Sequence, residues 1–121
     1  MKCVFCDLNR KKEKIIFETD NFILLESKLP IVPGHCLLVP KIHISIEVEL
    51  DIRLAKEYKR ASDQAYKYVE KTYEFAPISI VNPPQDQSIK HLHKHFLPGV
   101  FGVLGVEKAL RVYLKNVKQQ F

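Results

Sequence analysis

Three histidines alternate along one short segment of the chain, at His91, His93 and His95. If this segment is a strand, the alternation places all three imidazoles on one face of a sheet. Buried neutral imidazoles need partners for both ring nitrogens, and protonated ones repel each other, so an ordinary packed core explains the pattern poorly. Three kinds of site remain: a metal cage, a proton-handling site, or a nucleophile with supporting imidazoles.

Chemistry at phosphorus suits such a cluster, because a neutral imidazole is a good nucleophile and the phosphohistidine it forms is labile. A neighbouring imidazole or hydroxyl can place the phosphate or protonate the leaving group. Ser88 could supply the hydroxyl, and Asn82 and Gln87 could hydrogen-bond phosphoryl or ribose oxygens. Taken singly, each of these three residues is typical of an ordinary polar loop.

Two of the three cysteines, Cys3 and Cys6, form a C-x-x-C pair near the start of the sequence. Such a pair is redox-active, metal-binding or incidental, and its position at the extreme N-terminus disfavours the redox alternative. Cys36 lies in an apolar run and is predicted to be a small core residue. An odd number of cysteines without a recognisable secretory signal indicates a reducing, cytoplasmic setting.

The composition is that of one globular domain spanning residues 1–121. Hydrophobic residues make up 46% and charged residues 27% of the 121 residues, and no apolar run is long enough to span a bilayer. The net charge of +5 is spread along the chain. Without stacking-aromatic motifs or zinc-finger spacing, this charge does not indicate nucleic acid binding, and it is compatible with a phosphorylated small molecule.

The hydrophobic pattern predicts an α+β fold with a five-stranded, mostly antiparallel sheet and about two helices. Residues 15–25 have the pattern of a hairpin that turns at Asp20-Asn21. The helices are expected over residues 51–73, capped by Asp51 and stopped by Pro77, and in the tail around residues 106–117. The remaining strands are expected over residues 36–40, 78–82 and 89–97.

Four blocks, in the right order and spacing, resemble the histidine triad (HIT) superfamily over residues 3–99. They are HLHKHFL at 91–97, PGHCLLVPKIHIS at 33–45, CVFC at 3–6 and IFETD at 16–20. The resemblance implies a HIT-like α+β domain that pairs with a second copy across a two-fold axis through a shared sheet. The tail over residues 100–121 has no counterpart that we can assign.

The resemblance also implies an activity, because members of this superfamily hydrolyse or transfer nucleotides at the α-phosphate. Their substrates are nucleoside phosphoramidates, aminoacyl-adenylates or dinucleoside polyphosphates. By the match of motifs, His93 would be the nucleophile that becomes nucleotidylated and His95 would hold the phosphate. The remaining matched positions would contact phosphate, leaving group, ribose or base: Ser88, Gln87, Asn82, Ser27, Phe5, Phe22 and Leu25.

Members with an N-terminal C-x-x-C often hold a structural zinc ion. By resemblance its ligands here would be four residues, one zinc ion per chain: Cys3, Cys6, His43 and His91. Two thiolates and two imidazoles are a donor set that zinc accepts in a closed tetrahedral site, which leaves no open position for a reacting water. Such an ion would orient the histidine segment and take no part in the reaction.

Three departures from the superfamily pattern bear on function. Lys94 stands where a hydrophobic residue is usual, so either that face is solvated or the lysine stem reaches past it to water. Pro83-Pro84-Gln85-Asp86 replaces a glycine-rich phosphate loop, and proline has no N–H to donate. Ser27 stands where relatives carry an acidic or amide residue that grips ribose. The alternative to an enzyme is therefore a catalytically weak nucleotide-binding or regulatory module.

Overall fold

The computed structural model describes residues 3–87 and 89–99, together with Arg111 and Lys115. Its sheet has five strands, all antiparallel to their neighbours, in the order β1-β2-β3-β5-β4. The strands are β1 (Ile15–Glu18), β2 (Phe22–Glu26), β3 (Cys36–Pro40), β4 (Pro77–Val81) and β5 (Lys94–Pro98). The α+β class and the antiparallel sheet predicted from the sequence are confirmed.

One long helix, α1 (Ile52–Tyr73), covers one face of the sheet. It begins where predicted, because the Asp51 carboxylate accepts a hydrogen bond from the Leu54 N–H at 2.8 Å. Every third or fourth residue of α1 is apolar and packs on the sheet, with Tyr58, Ala61, Ala65 and Val69 buried. The predicted second helix lies outside the described residues apart from Arg111 and Lys115, which are both helical.

Strand alternation divides the sheet residues between two apolar clusters. Phe22, Leu24 and Leu38 face α1, whereas Ile23, Leu25, Leu37 and Val39 face the opposite side, where Phe5 and the N-terminal segment cover them. The second face is the one that carries the candidate site. No helix among the described residues is long and apolar enough to cross a membrane.

The last strand is shorter than predicted, since β5 begins at Lys94 and the prediction began at residue 89. The residues before Lys94 do not pair with a neighbouring strand, because their hydrogen bonds are made to other parts of the chain. The Leu92 N–H donates to the Ile44 carbonyl, and the His91 ring bonds the Pro40 carbonyl. Strand β4 runs one residue earlier than predicted, from Pro77 to Val81.

Candidate active site and metal centre

Two cysteines and two histidines from three separate parts of the chain meet at one point, here called the Cys/His cluster. It consists of Cys3, Cys6, His43 and His91, whose ligand atoms all lie within 4.8 Å of one another. The Cys3 sulfur is 3.3 Å from His91 Nδ1, the Cys6 sulfur is 3.1 Å from His43 Nδ1, and the two Nδ1 atoms are 3.2 Å apart. The cluster could hold a metal ion.

The buried member of the cluster is oriented by the backbone. His91 is fully buried, and its Nε2–H donates to the Pro40 carbonyl at 2.8 Å. The lone pair is therefore on Nδ1, which faces the two sulfurs. Burial lowers the pKa of His91, so the ring is neutral as a ligand must be. The four donors thus fit a tetrahedral sulfur and nitrogen site of the kind that zinc occupies.

The next histidine of the segment has the opposite tautomer. His93 Nδ1–H donates to the backbone carbonyl of His91 at 2.7 Å, which leaves the lone pair on Nε2. His93 lies next to Phe5, with ring centroids 5.2 Å apart, and lines a cleft. An imidazole whose Nδ1–H is held by a carbonyl and whose Nε2 lies beside a cleft has the arrangement that a nucleophile needs.

The third histidine is oriented through a chain of two hydrogen bonds. The Ile31 N–H donates to His35 Nδ1 at 3.1 Å, so His35 carries its proton on Nε2 and donates to His95 Nδ1 at 2.9 Å. His95 therefore carries its own proton on Nε2, which is shielded from water and has no partner among the described residues. Burial, with His93 and His35 adjacent, lowers the pKa of His95 to about 4. His95 is thus a neutral hydrogen-bond donor at pH 7.

The cleft beside these imidazoles, here called the histidine cleft, has a volume of about 340 Å³. His93, His95 and His35 contribute its polar groups on one side. Its walls are mostly apolar and come from the N-terminal segment, strands β2 and β3, the loop after β2 and the connection before β5: Val4, Phe5, Leu8, Leu25, Leu29, Ile31, Leu37 and Ile89. A flat apolar group such as a nucleotide base fits such walls.

Three of the residues predicted to bind a nucleotide line the histidine cleft, namely Phe5, Leu25 and Ser27. Phe22 does not fit the prediction, because it is fully buried on the opposite face, with its ring 5.5 Å from that of Tyr58. Side chains alternate along β2, so Phe22 and Leu25 cannot both face the cleft. Because one residue number is even and the other odd, the sequence already predicts that Phe22 and Leu25 face opposite sides of the sheet.

Asn82 and Gln87, which were predicted to contact the nucleotide, are not among the described residues that line the cleft. Gln87 is buried, and its side-chain NH₂ donates to the carbonyls of Ser45 and Asn82 at 2.9 and 3.1 Å. It thereby ties the end of β4 to the loop before α1. The Gln87 side-chain oxygen is buried without a partner among the described residues. Ser88 lies outside the described residues.

Of the two alternatives considered for Lys94, the solvated face is wrong, and the side chain is half-buried. Its face of the sheet is covered by α1, and its ammonium group lies 3.3 Å from the Ser62 hydroxyl and 5.2 Å from the centre of the Tyr58 ring. Burial lowers the pKa of this lysine. The charge is therefore kept inside the sheet–helix interface, where the ring face and the hydroxyl partly replace water.

Sequence reasoning assigned no role to three residues that line the histidine cleft: His35, Glu13 and Lys28. His35 had a signal, since it is a histidine just before a predicted central strand, and antiparallel pairing brings that end of β3 beside β5. Glu13 and Lys28 had none, because only the pairing of β1 with β2 brings them together.

Comparison with known proteins gives a consistent result. The HIT domain family model matches residues 9–102. An uncharacterized HIT-like protein of Chlamydia trachomatis is 35% identical over 97 residues, which cover 74% of this chain and 82% of that protein. A bis(5'-adenosyl)-triphosphatase of Saccharomyces cerevisiae is 26% identical over 90 residues, 71% of this chain but only 44% of the yeast enzyme.

Among solved structures, the HIT family hydrolase of Clostridium thermocellum is similar throughout. It superposes with a TM-score of 0.71 at 27% sequence identity, over 87% of this chain and 96% of that one. The five-stranded sheet with one main helix is thus shared with a solved hydrolase.

Proposed function

Because the chain belongs to the HIT domain family, we propose that it hydrolyses or transfers nucleotides at the α-phosphate through a nucleotidyl-histidine intermediate. The candidate substrates are nucleoside phosphoramidates, aminoacyl-adenylates and dinucleoside polyphosphates. The observation that carries the proposal is the tautomer of His93, whose Nδ1–H is held by the His91 carbonyl at 2.7 Å so that Nε2 is free beside the cleft.

In the first step, the Nε2 lone pair of His93 attacks the α-phosphorus, and the bond from phosphorus to the leaving group breaks. The leaving group departs with the bonding electrons. The imidazole then carries a nucleotidyl group on Nε2 and a proton on Nδ1, and the His91 carbonyl stabilises the resulting positive charge. In the second step water attacks phosphorus, the electron pair of the P–N bond returns to His93, and a proton of the water passes to solvent.

His95 serves in this scheme as a donor to a phosphate oxygen. Its Nε2–H has no partner among the described residues, and its depressed pKa of about 4 keeps the ring neutral through the working range of pH. His35 is a positioning residue, because its hydrogen bond to His95 Nδ1 sets which nitrogen of His95 carries the proton. Ser88 keeps its predicted role at the leaving group, and the contact of Asn82 with ribose or phosphate stays a prediction. Gln87 acts instead by holding the loop between β4 and β5, because its NH₂ donates to the Ser45 and Asn82 carbonyls.

We assign one structural zinc ion per chain to the Cys/His cluster. The chemistry of the donor set and the orientation of His91 Nδ1 support this assignment. When bound, the ion would hold the N-terminal segment, which carries Phe5, against the histidine segment. Phe5 packs on both His91 and His93, with ring centroids 5.6 and 5.2 Å away, so the cluster and the cleft share this wall.

A homodimer through a shared sheet and a cytoplasmic location complete the proposal. Among the described strands, β4 lies at an edge of the sheet and exposes Ile80, so within this part of the chain its outer backbone groups are open to pairing with another copy. None of the three cysteines forms a disulfide, which fits a reducing compartment. Sedimentation of the purified protein would separate dimer from monomer directly.

The alternative function is a nucleotide-binding module with weak turnover, and the β4–β5 loop favours it. The Asp86 and Gln87 N–H groups donate to the Pro83 and Pro84 carbonyls, at 2.9 and 3.3 Å, and the two prolines have no N–H. This loop therefore has few donors left for phosphate. The alternative predicts that nucleotides bind without being hydrolysed.

The deciding experiment measures nucleotide release from adenosine 5′-phosphoramidate and from a dinucleoside polyphosphate by wild type and His93→Ala. Removal of a covalent nucleophile should lower kcat by about three orders of magnitude or more while nucleotide binding is retained. Lys59→Ala is the control, because Lys59 is exposed on α1 and, in the described part of the chain, forms an ion pair only with Asp63. Binding without release by wild type would favour the alternative.

A further inference from the structure

An ion pair lines the histidine cleft next to the start of β1 and the end of β2. The Lys28 ammonium is 2.7 Å from the Glu13 carboxylate, and both residues line the cleft. The two side chains differ in exposure, at 64% for Lys28 and only 11% for Glu13. The carboxylate is therefore inside the cleft, with the ammonium group on its solvent side.

The surroundings of Glu13 make it unlike an ordinary surface carboxylate. Leu8, Leu25 and Ile31 line the same cleft. An ionised carboxylate has about four acceptor sites, and among the described residues Lys28 is its only partner. A carboxylate shielded from water in this way has acceptor capacity left for donors of a ligand.

The sheet order sets the spacing between β1 and the strand that carries His95. Glu13 lies two residues before β1 begins at Ile15, whereas His95 is on β5. In the order β1-β2-β3-β5 these strands are three spacings apart, which is about 14 Å. A nucleotide with its phosphorus at His93 would extend its sugar and base along the apolar wall toward Glu13 and Lys28.

We propose that Glu13 and Lys28 together recognise the hydrogen-bonding edge of the nucleotide base and that they favour guanine. The inference rests on the proposed function, since it takes the occupant of the cleft to be a nucleotide. It adds a specificity determinant that distinguishes one base from another, which apolar walls alone cannot do.

The chemistry of the bases supports this choice. Guanine presents two adjacent donors, N1–H and the 2-amino group, beside the acceptor O6. A carboxylate accepts from both donors, and a neighbouring ammonium donates to O6. Adenine presents one amino donor next to the acceptor N1, so the same carboxylate gains one hydrogen bond fewer and faces a lone pair. The paired charges of Glu13 and Lys28 therefore complement guanine more fully than adenine.

Binding of GMP and AMP to the purified protein, measured by titration calorimetry, tests the inference without requiring turnover. Wild type should bind GMP about tenfold more tightly than AMP. Glu13→Gln should bring the ratio of the two affinities close to one. Lys28→Met should also lower it, and because Lys28 is mostly exposed this variant should fold normally. Glu26→Gln is the matched control, since Glu26 pairs with Lys14 outside the cleft.

The possible outcomes distinguish a failure of the guanine preference from a failure of the proposed nucleotide function. Equal affinities for GMP and AMP in wild type would overturn the inference alone. So would an equal loss of both affinities in Glu13→Gln together with weak binding of 2′-deoxy-GMP, because Glu13 would then hold the ribose. Failure to bind either nucleotide would overturn the proposed function and the inference with it.

Discussion

The Cys/His cluster and the histidine cleft are built from the same five-residue segment, yet they prepare imidazoles for different chemistry. His91 donates from Nε2 to the Pro40 carbonyl and presents Nδ1 to two sulfurs. His93, two residues later, donates from Nδ1 to the His91 carbonyl and has Nε2 free beside the cleft. Backbone carbonyls thus select the nitrogen that acts, and residue type alone does not.

The two regions also differ in how they are connected to the rest of the chain. The cluster joins the N-terminal segment, the end of the β3 region and the histidine segment. The cleft depends on a longer relay, from the Ile31 N–H through His35 to His95. We therefore expect the cluster to act mainly on stability and the relay to act on the orientation of His95. Phe5 and the His91 carbonyl connect the cluster to the cleft, whereas, within the described part of the chain, His35 contacts only the cleft side.

The largest expected effect comes from breaking the cluster. Cys6→Ser should lose the bound zinc, measured by elemental analysis, and should lower the free energy of unfolding by more than about 3 kcal/mol. Cys36→Ala is the matched control. Cys36 is buried in the sheet away from the cluster, and burial raises the pKa of its thiol to about 12, so it is inert. A wild-type protein that purifies without metal would contradict the assignment.

A second prediction concerns the dependence of protein stability on pH through His95 in the cleft. The folded-state pKa of His95 is about 4, against an ordinary value of 6.5, because the ring is buried beside His93 and His35. Between these two values the unfolded chain binds a proton that the folded chain does not. Stability should therefore fall as the pH decreases from about 6.5 to 4, by at most about 3 kcal/mol.

Urea denaturation of wild type and His95→Asn at pH 7 and pH 5 checks this prediction. The variant has no titrating group at position 95, so its stability should depend less on pH. Parallel losses of stability in the two proteins would show that His95 is not the group responsible.

A third prediction separates the orientation of His95 from the stability of the fold. His35→Ala removes the donor to His95 Nδ1 and should lower kcat by about 10- to 100-fold, with zinc content unchanged. His35→Gln can accept from the Ile31 N–H and donate to His95, so it should recover part of the rate and of the wild-type pH profile. Equal losses in the two variants would point to packing as the only role of His35.

The smallest effect is expected on the helix side of the histidine segment. Lys94→Met replaces a partly buried ammonium group with a flexible apolar side chain of similar length and should change stability by no more than about 1 kcal/mol. Hydrolysis should be unaffected, because Lys94 faces α1. Chemical denaturation beside Lys59→Met, an exposed control, measures the first effect. A large loss of activity in a folded Lys94→Met protein would mean that its charge reaches the cleft.

Much of the fold followed from local patterns. The Asp51 cap and the three- and four-residue spacing of Tyr58, Ala61 and Ala65 place α1 to within a residue, because both signals are local. The start of β5 was missed because the chain before Lys94 is held by a distant partner, the Ile44 carbonyl. Such tertiary hydrogen bonds do not change the local pattern of hydrophobic and polar residues.

The site residues that lie in sequence motifs were predicted. The contacts that depend on the pairing register of the strands were not. The four residues of the Cys/His cluster were named from their motifs, and the structure brings them together. The pair of Glu13 and Lys28 depends on the pairing of β1 with β2, and the relay from His35 depends on the pairing of β3 with β5. Neither pairing register can be obtained from a single sequence with the accuracy that side-chain contacts need.

The most direct test of the central claim is the intact mass of the protein during turnover of a nucleoside phosphoramidate, quenched in alkali because phosphohistidine is labile in acid. We predict a mass increase of one nucleotidyl group that peptide mapping places on His93 and that is absent from His93→Ala. Steady hydrolysis by wild type with no adduct, or with the adduct on another residue, would contradict the mechanism.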